Sequence, residues 1–300
     1  MPQEEINKIL IIRLSSLGDI LLTTPVVRAI RKKYPSAEIH FVVKKGFEVA
    51  VRTNKNIDKI FVFEKDAPSN LKNEIRRTGY NLIFDFQNNW RSRELVKGVP
   101  GKVYKFRKPT FKKLLLVWTK INLLKDSKSI TQRYADSADV ELDEYGLELC
   151  IPGNIESNLP DGKKYIGFCP GAKHFTKIWP AEYFILLGNE LTKSGYTVVL
   201  FGGKSEAELC GKISKAIKDS INCQNNDDLL SLAVNMKKCD SVITNDSGLM
   251  HVASALEIPV IAIFGSSVKE FGFTPYGVKN IILENKSLSC RPCSHIGKET

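Results

Sequence analysis

Lys8-Ile9-Leu10-Ile11-Ile12-Arg13-Leu14, followed at once by Ser15-Ser16-Leu17-Gly18-Asp19-Ile20, decides the architecture of this chain. A short run rich in β-branched residues reads as a strand buried on both faces. Behind it, residues 19–34 bring Ile20, Leu21, Val27 and Ile30 round at helical spacing. The same unit then recurs. Strands are expected at 38–43, 59–63 and 80–86 with helical segments between them, and a long helix at 130–146. From Ile151-Pro152-Gly153-Asn154 to Pro160-Asp161-Gly162 the pattern dissolves into a polar linker. Alternation restarts beyond it, with strands at 164–169, 196–201, 240–244 and 259–264. Helices are expected near 180–194, 204–218, 226–238 and 247–257. Such alternation builds parallel sheets with helices on both faces. With 300 residues and about 150 per domain, the expectation is two Rossmann-like α/β domains, 1–153 and 154–300, with a cleft between them. No internal repeat or low-complexity tract interrupts them.

Ligands of open parallel sheets bind outside the carboxyl ends of the strands, where the strand order reverses. Three strand-to-helix loops therefore carry the candidate chemistry. In the first, Ser15, Ser16 and Gly18 shape a tight turn and Asp19 opens the next helix. These residues suit a plain helix cap. They equally suit a carboxylate kept ionised by the helix dipole and used as a general base. The glycine triplet of a dinucleotide fingerprint is missing. The second loop, Pro170-Gly171-Ala172-Lys173-His174-Phe175-Thr176-Lys177-Ile178-Trp179-Pro180, crowds basic side chains ahead of a helix that Pro180 can start. It reads either as a phosphate contact or as solvated loop lysines. The third, Thr244-Asn245-Asp246-Ser247-Gly248-Leu249-Met250-His251, puts a Ser-Gly turn at a helix start, where backbone N–H groups bind anions. Asp246 or Ser247 could again be a cap, and His251 a hydrogen-bonded helix residue. Phe264-Gly265-Ser266-Ser267 repeats the strand-then-small-residue pattern and would wall the same cleft.

Composition narrows the classes. Hydrophobic residues are 43% and charged residues 26% of the chain, as in an ordinary globular protein. No apolar run approaches the roughly 20 residues of a membrane span. The first residues, Met-Pro-Gln-Glu-Glu, carry no secretion signal. Seven cysteines fit reduced thiols in a cytoplasm. The net charge of +11 is local: residues 91–133 hold thirteen Lys or Arg against Glu94 and Asp126, so the remainder is neutral. A local basic band suggests a local anionic partner.

Taken in order, Ser15-Ser16-Leu17-Gly18-Asp19, Lys177-Ile178-Trp179-Pro180, Asn245-Asp246-Ser247-Gly248-Leu249-Met250-His251, Phe264-Gly265 and Cys290-Arg291-Pro292-Cys293 resemble glycosyltransferase family nine, the ADP-heptose:lipopolysaccharide heptosyltransferases. The resemblance implies two Rossmann-like domains of the GT-B type, with the donor nucleotide sugar in the C-terminal one. It implies inverting transfer of a heptose or related sugar to a lipopolysaccharide core acceptor, with no metal and no cofactor. Position by position, it makes Asp19 the base and Lys177 a contact to the donor phosphates or sugar. It places Asp246, Ser247, Gly248 and His251, with Thr176 beside Lys177, around the donor. It transfers no acceptor-binding position. Members usually continue past the Cys-x-x-Cys with further cysteines and a closing helix, so the C-terminal domain is expected to be truncated at Thr300.

The implied acceptor is an acidic lipid-linked sugar. The basic band, with Phe111-Lys112-Lys113-Leu114-Leu115-Leu116-Val117-Trp118-Thr119-Lys120 inside it, is expected on the acceptor-side domain. It suits contact with an anionic membrane; a core-packing helix with a solvated lysine face is the other reading. The expected location is cytoplasmic, at the periphery of the inner membrane. Competing readings are another nucleotide-sugar enzyme of the GT-B type, with a different donor or an epimerase chemistry, and a binder of anionic polymer or nucleic acid. No reading helix or RNA-binding aromatic pair supports the last, and no nucleic-acid partner is expected. Cys290 and Cys293, with only His295 nearby, fall short of the four ligands of a structural zinc site.

Overall fold

The computed structural model describes residues 5–64, 68–125, 127–224, 228–294 and 297. His295 and Asp126, which entered the zinc and charge readings, lie outside them. The elements in chain order are β1 (Lys8–Ile12), α1 (Leu17–Leu21), α2 (Thr24–Lys33), β2 (Glu38–Lys44), β3 (Lys59–Phe63), α3 (Pro68–Thr78), β4 (Leu82–Asp85), α4 (Trp90–Val96), β5 (Lys102–Lys105), α5 (Thr110–Thr119) and α6 (Ile130–Ala138). After the linker come β6 (Tyr165–Cys169), α7 (Ala181–Lys193), β7 (Thr197–Leu200), α8 (Ala207–Ala216), β8 (Ile221–Asn222), α9 (Leu229–Met236), β9 (Ser241–Asn245), α10 (Gly248–Ala255), β10 (Val260–Phe264) and β11 (Asn280–Glu284).

Two compact units result. The first comprises the chain up to Lys108 together with Ile130–Cys150; the second comprises Pro109–Ser129 and everything from Ile151. The first unit holds a five-stranded sheet in the order β3-β2-β1-β4-β5, parallel throughout. Ile9, Leu10, Ile11 and Ile12 are all fully buried, which is why β1 is apolar on both faces. The second unit holds a six-stranded parallel sheet, β11-β10-β9-β6-β7-β8. Its core gathers Phe168, Phe184, Val198, Leu200, Cys210 and Ile213. Cys150, Cys169, Cys210, Cys223, Cys239 and Cys290 are free thiols. Among the described residues, no helix is long and apolar enough to cross a membrane.

Three expectations are corrected. The helix expected over 19–34 is two helices, α1 and α2, because Pro25 has no N–H to carry the ladder across the join. There, Thr23 Oγ1 donates to the Ile20 carbonyl and Thr24 Oγ1 to the Leu21 carbonyl. The helix expected at 130–146 ends at Ala138, where Asp139 turns to a positive φ of 52°. The third correction concerns the basic band, whose expected place is the first domain. Residues 109–129 leave the first unit and pack on the second: Leu116 and Leu124 join Val268 and Phe271 in one cluster. The Lys113 ammonium lies over the rings of Phe271 and Phe273. Within the same band, β5 went unread because its two lysines at the ends mask a four-residue edge strand.

Candidate active site

In the first unit the strand order reverses between β1 and β4, and the loops leaving those two strands meet. The Arg13 guanidinium, at the end of β1, is 6% exposed. It donates through Nη1 to the Phe86 carbonyl, 2.8 Å, and through Nη2 to Asp19 Oδ1, 2.7 Å. It also lies 5.8 Å from the Tyr134 ring centroid. Ser16 is the N-cap of α1; its backbone N–H and Oγ both donate to Asp19 Oδ2, at 3.2 and 2.8 Å. Asp19 therefore does serve as a helix cap, and the same carboxylate also carries a buried ion pair. Burial works against its charge. The Arg13 guanidinium and the two Ser16 donors outweigh that, holding the carboxyl below its ordinary range. Its side chain stays 18% exposed. Gly18 is buried beneath this turn, and the Ser15–Ser16 peptide is cis.

The loop after β4 supplies residues that the motif reading passed over. Gln87 Oε1 accepts from the N–H groups of Leu14 and Ser15 at 3.0 and 3.3 Å, fixing the Ser15 turn. Lys108 donates to the Gln87 carbonyl at 2.7 Å. Burial and the repulsion of Arg13 lower its pKa, tempered by Asp19 and Asp85. Asp85 is fully buried and accepts from the Asn88 N–H and the Ser92 hydroxyl, so it shapes the loop from below. A polar glutamine straight after a predicted buried strand was the available signal.

In the second unit the reversal falls between β6 and β9, again where the loops gather. Asn245, fully buried at the end of β9, ties them: its Oδ1 accepts from the Trp179 N–H and its Nδ2 donates to the Pro170 carbonyl. Lys177 Nζ reaches Asp246 Oδ2 at 2.7 Å, with the two side chains 16% and 9% exposed. Ser267 Oγ donates to the same oxygen at 2.5 Å. The Ser266 N–H donates to the Thr176 carbonyl and Thr176 Oγ1 to Ser266 Oγ, both at 3.0 Å. A Cβ at Gly265 would stand 2.5 Å from the Thr176 carbonyl, so glycine is required for this closeness. Ser247 is the N-cap of α10 without a side-chain capping bond, which leaves the Ser247–Gly248–Leu249 amides at a helix start. His251 is buried within α10. The structure thus brings Thr176, Lys177, Asp246, Ser247 and Gly248 together, and Ser15, Ser16, Gly18 and Asp19 together. It adds Arg13, Gln87, Lys108, Asn245 and Ser267. Among the described residues, no group of three or more His, Cys, Asp or Glu side chains could hold a metal.

Two parallel α/β units, each with polar loops at its strand-order reversal and the second with a cation beside a helix start, are the architecture of a glycosyltransferase of the GT-B type. The comparisons with known proteins agree. The sequence profile of Glycosyltransferase family 9 (heptosyltransferase) matches residues 69–300, and the chain belongs to that family: it is a glycosyltransferase. It is 28% identical to lipooligosaccharide heptosyltransferase 2 of Campylobacter jejuni over 292 residues, covering 92% of this chain and 86% of the relative. Against lipopolysaccharide heptosyltransferase 2 of Escherichia coli K12 the identity is 37% over 120 residues, 38% of this chain and 34% of the relative. A glycosyl transferase family 9 structure from Veillonella parvula DSM 2008 superposes with a TM-score of 0.79 at 24% identity, over 94% of this chain and 88% of that one. E. coli ADP-heptose lps heptosyltransferase II gives 0.76 at 24% identity, over 94% and 91%.

Proposed function

We propose that the protein transfers a heptose, or a closely related sugar, from an ADP-sugar to an acidic lipopolysaccharide core acceptor with inversion at the anomeric carbon. The Lys177–Asp246–Ser267 cluster at the start of α10 carries this reading: it puts a cation beside a helix start whose N-cap side chain makes no capping bond, a combination that suits a diphosphate. Thr176, Ser247, Gly248 and His251 complete the donor set. An acceptor hydroxyl gives its proton to Asp19 as its oxygen bonds the anomeric carbon. The bond from that carbon to the diphosphate oxygen breaks, and ADP departs with the electron pair. Lys177 and the α10 amides offset the charge that grows on ADP, so no metal or cofactor is invoked. The chain works in the cytoplasm, at the periphery of the inner membrane.

That last reading has its own support. On α5 and the turn after it, Phe111, Trp118, Ile121 and Leu123 are 75%, 76%, 54% and 52% exposed, among exposed Lys112 and Lys125. Apolar side chains standing out among lysines suit the headgroup layer of an anionic bilayer, where a lipid-linked acceptor lies. Phe111→Glu with Trp118→Glu is expected to abolish co-sedimentation with vesicles containing anionic lipid; unchanged binding overturns the contact.

The transfer itself is tested by product analysis. ADP-heptose with the lipopolysaccharide core acceptor should yield the extended acceptor and ADP, whereas donor alone should be stable. A new sugar nucleotide formed from donor alone would instead establish an epimerase.

A further inference from the structure

The Cys290-Arg291-Pro292-Cys293 segment has no part in the reading above, yet its arginine reaches the donor loops. The Arg291 side chain is 6% exposed. Three of its nitrogens are spent on three separate carbonyls: Nε on Gly265 at 2.6 Å, Nη2 on Ser267 at 2.6 Å and Nη1 on Asn285 at 2.8 Å. Glu284 stands 3.9 Å away, 8% exposed. Between the first two carbonyls, the Ser266 carbonyl accepts from the Cys293 N–H at 3.3 Å. Every carbonyl from 265 to 267 is thus held from this one segment. The segment is anchored on its other side by Lys120, whose ammonium donates to the Cys290 and Pro292 carbonyls at 2.9 and 3.0 Å.

We infer that Arg291 is a positioning residue for the donor site: it fixes the 265–267 loop so that Ser267 holds Asp246, and Asp246 in turn holds Lys177. Resting on the donor reading of Lys177 and Asp246, this inference extends it to a residue that touches neither substrate. The chemistry favours arginine. A planar guanidinium holds its donors in a fixed fork that reaches these three separated carbonyls, whereas an ammonium is a point charge on a flexible stem. Without Arg291 the loop keeps its two bonds to Thr176 and the Cys293 N–H on Ser266, but the Gly265 and Ser267 carbonyls lose their donors, and Ser267 no longer stands at a fixed distance from Asp246. Small displacements of groups that orient a substrate cost up to about 10²-fold in rate.

The test compares wild type with Arg291→Ala and Arg291→Lys by hydrogen exchange, ADP calorimetry and donor kinetics. Arg291→Ala is expected to raise amide exchange at 264–268 and at 245–248. ADP binding should weaken about tenfold or more, the range for losing buried charge-assisted hydrogen bonds. The donor KM should rise, the acceptor KM should hold, and added guanidinium ion should restore part of the ADP affinity. Arg291→Lys, which retains the charge, should fail in the same way; it also serves if the alanine variant does not fold. Wild-type exchange and ADP affinity in both variants would overturn the inference. If wild type itself bound no ADP, the donor reading would fall, and exchange at 264–268 alone would still decide whether Arg291 holds the loop.

Discussion

Arg13 and Asp19 form an ion pair at 2.7 Å across the turn that leaves β1, with side chains only 7% and 18% exposed. Six residues apart in sequence, they meet because the strand ends and α1 begins within that interval. The pair gives the proposed base two properties: its carboxylate is ionised, and its position is set from both oxygens.

Replacing Asp19 with Asn tests both. Loss of a positioned base costs about 10²–10⁴-fold in kcat. ADP affinity, which the proposal assigns to loops of the second unit, should stay at the wild-type value in calorimetry. The change also leaves the Arg13 guanidinium buried without its counter-charge, so stability should fall by about 1–3 kcal/mol. Full turnover on a verified acceptor would remove Asp19 from the chemistry.

Because Arg13 and Ser16 hold the Asp19 carboxyl below its ordinary 3.8, its contribution to stability is fully present above that value. It is lost only as pH falls through the lowered folded-state pKa. Asp19 is therefore ionised across the neutral range, and it should place no acid limb on the kcat profile above about pH 5. Carbon NMR of the labelled carboxylate reads the titration directly; a midpoint near neutrality would contradict the ion pair.

Lys177→Met keeps the length of the side chain and deletes the cation that Asp246 contacts at 2.7 Å. ADP affinity should drop about tenfold or more, as for loss of a charge-assisted bond. Its salt dependence should flatten. Melting temperature should fall as well, since Asp246 is left almost buried with Ser267 as its one remaining side-chain donor among the described residues. An unchanged ADP titration would dismiss the donor role of this lysine.

Gly101, at φ +120°, has no room for a side chain: a Cβ would stand 2.2 Å from the Tyr80 carbonyl. Gly101→Ala should destabilise the first unit by about 1–3 kcal/mol through overpacking and strain. Denaturant unfolding should show this while ADP binding persists, because the proposed donor loops belong to the other unit.

Much of this protein could be read before any coordinate. Strand–helix alternation located all the inner strands of both sheets to within about two residues, since buried parallel strands are continuous apolar runs that polar turns interrupt. The same reasoning led to Asp19, Lys177 and Asp246, because chemistry in such sheets gathers in the loops after strands. It failed where the local pattern was mixed. β5 is short and flanked by lysines, and residues 109–129 look like part of the domain that precedes them. Only their packing against Val268 and Phe271 assigns them to the second unit.

The sequence by itself determined the alternation, the positions of the strand-to-helix loops and the family, because these depend on local composition and on motifs a few residues long. Which side chains those loops would share was decided only by the tertiary structure. Gln87 reaches Ser15 from 72 residues away, Ser267 reaches Asp246 from 21 and Lys177 reaches Asp246 from 69. Lys120 reaches Cys290 across 170. The first three pairings arise because parallel strands bring distant carboxyl ends side by side, and the last because α5, which Lys120 caps, packs on the second unit; no local pattern records which segments will be neighbours.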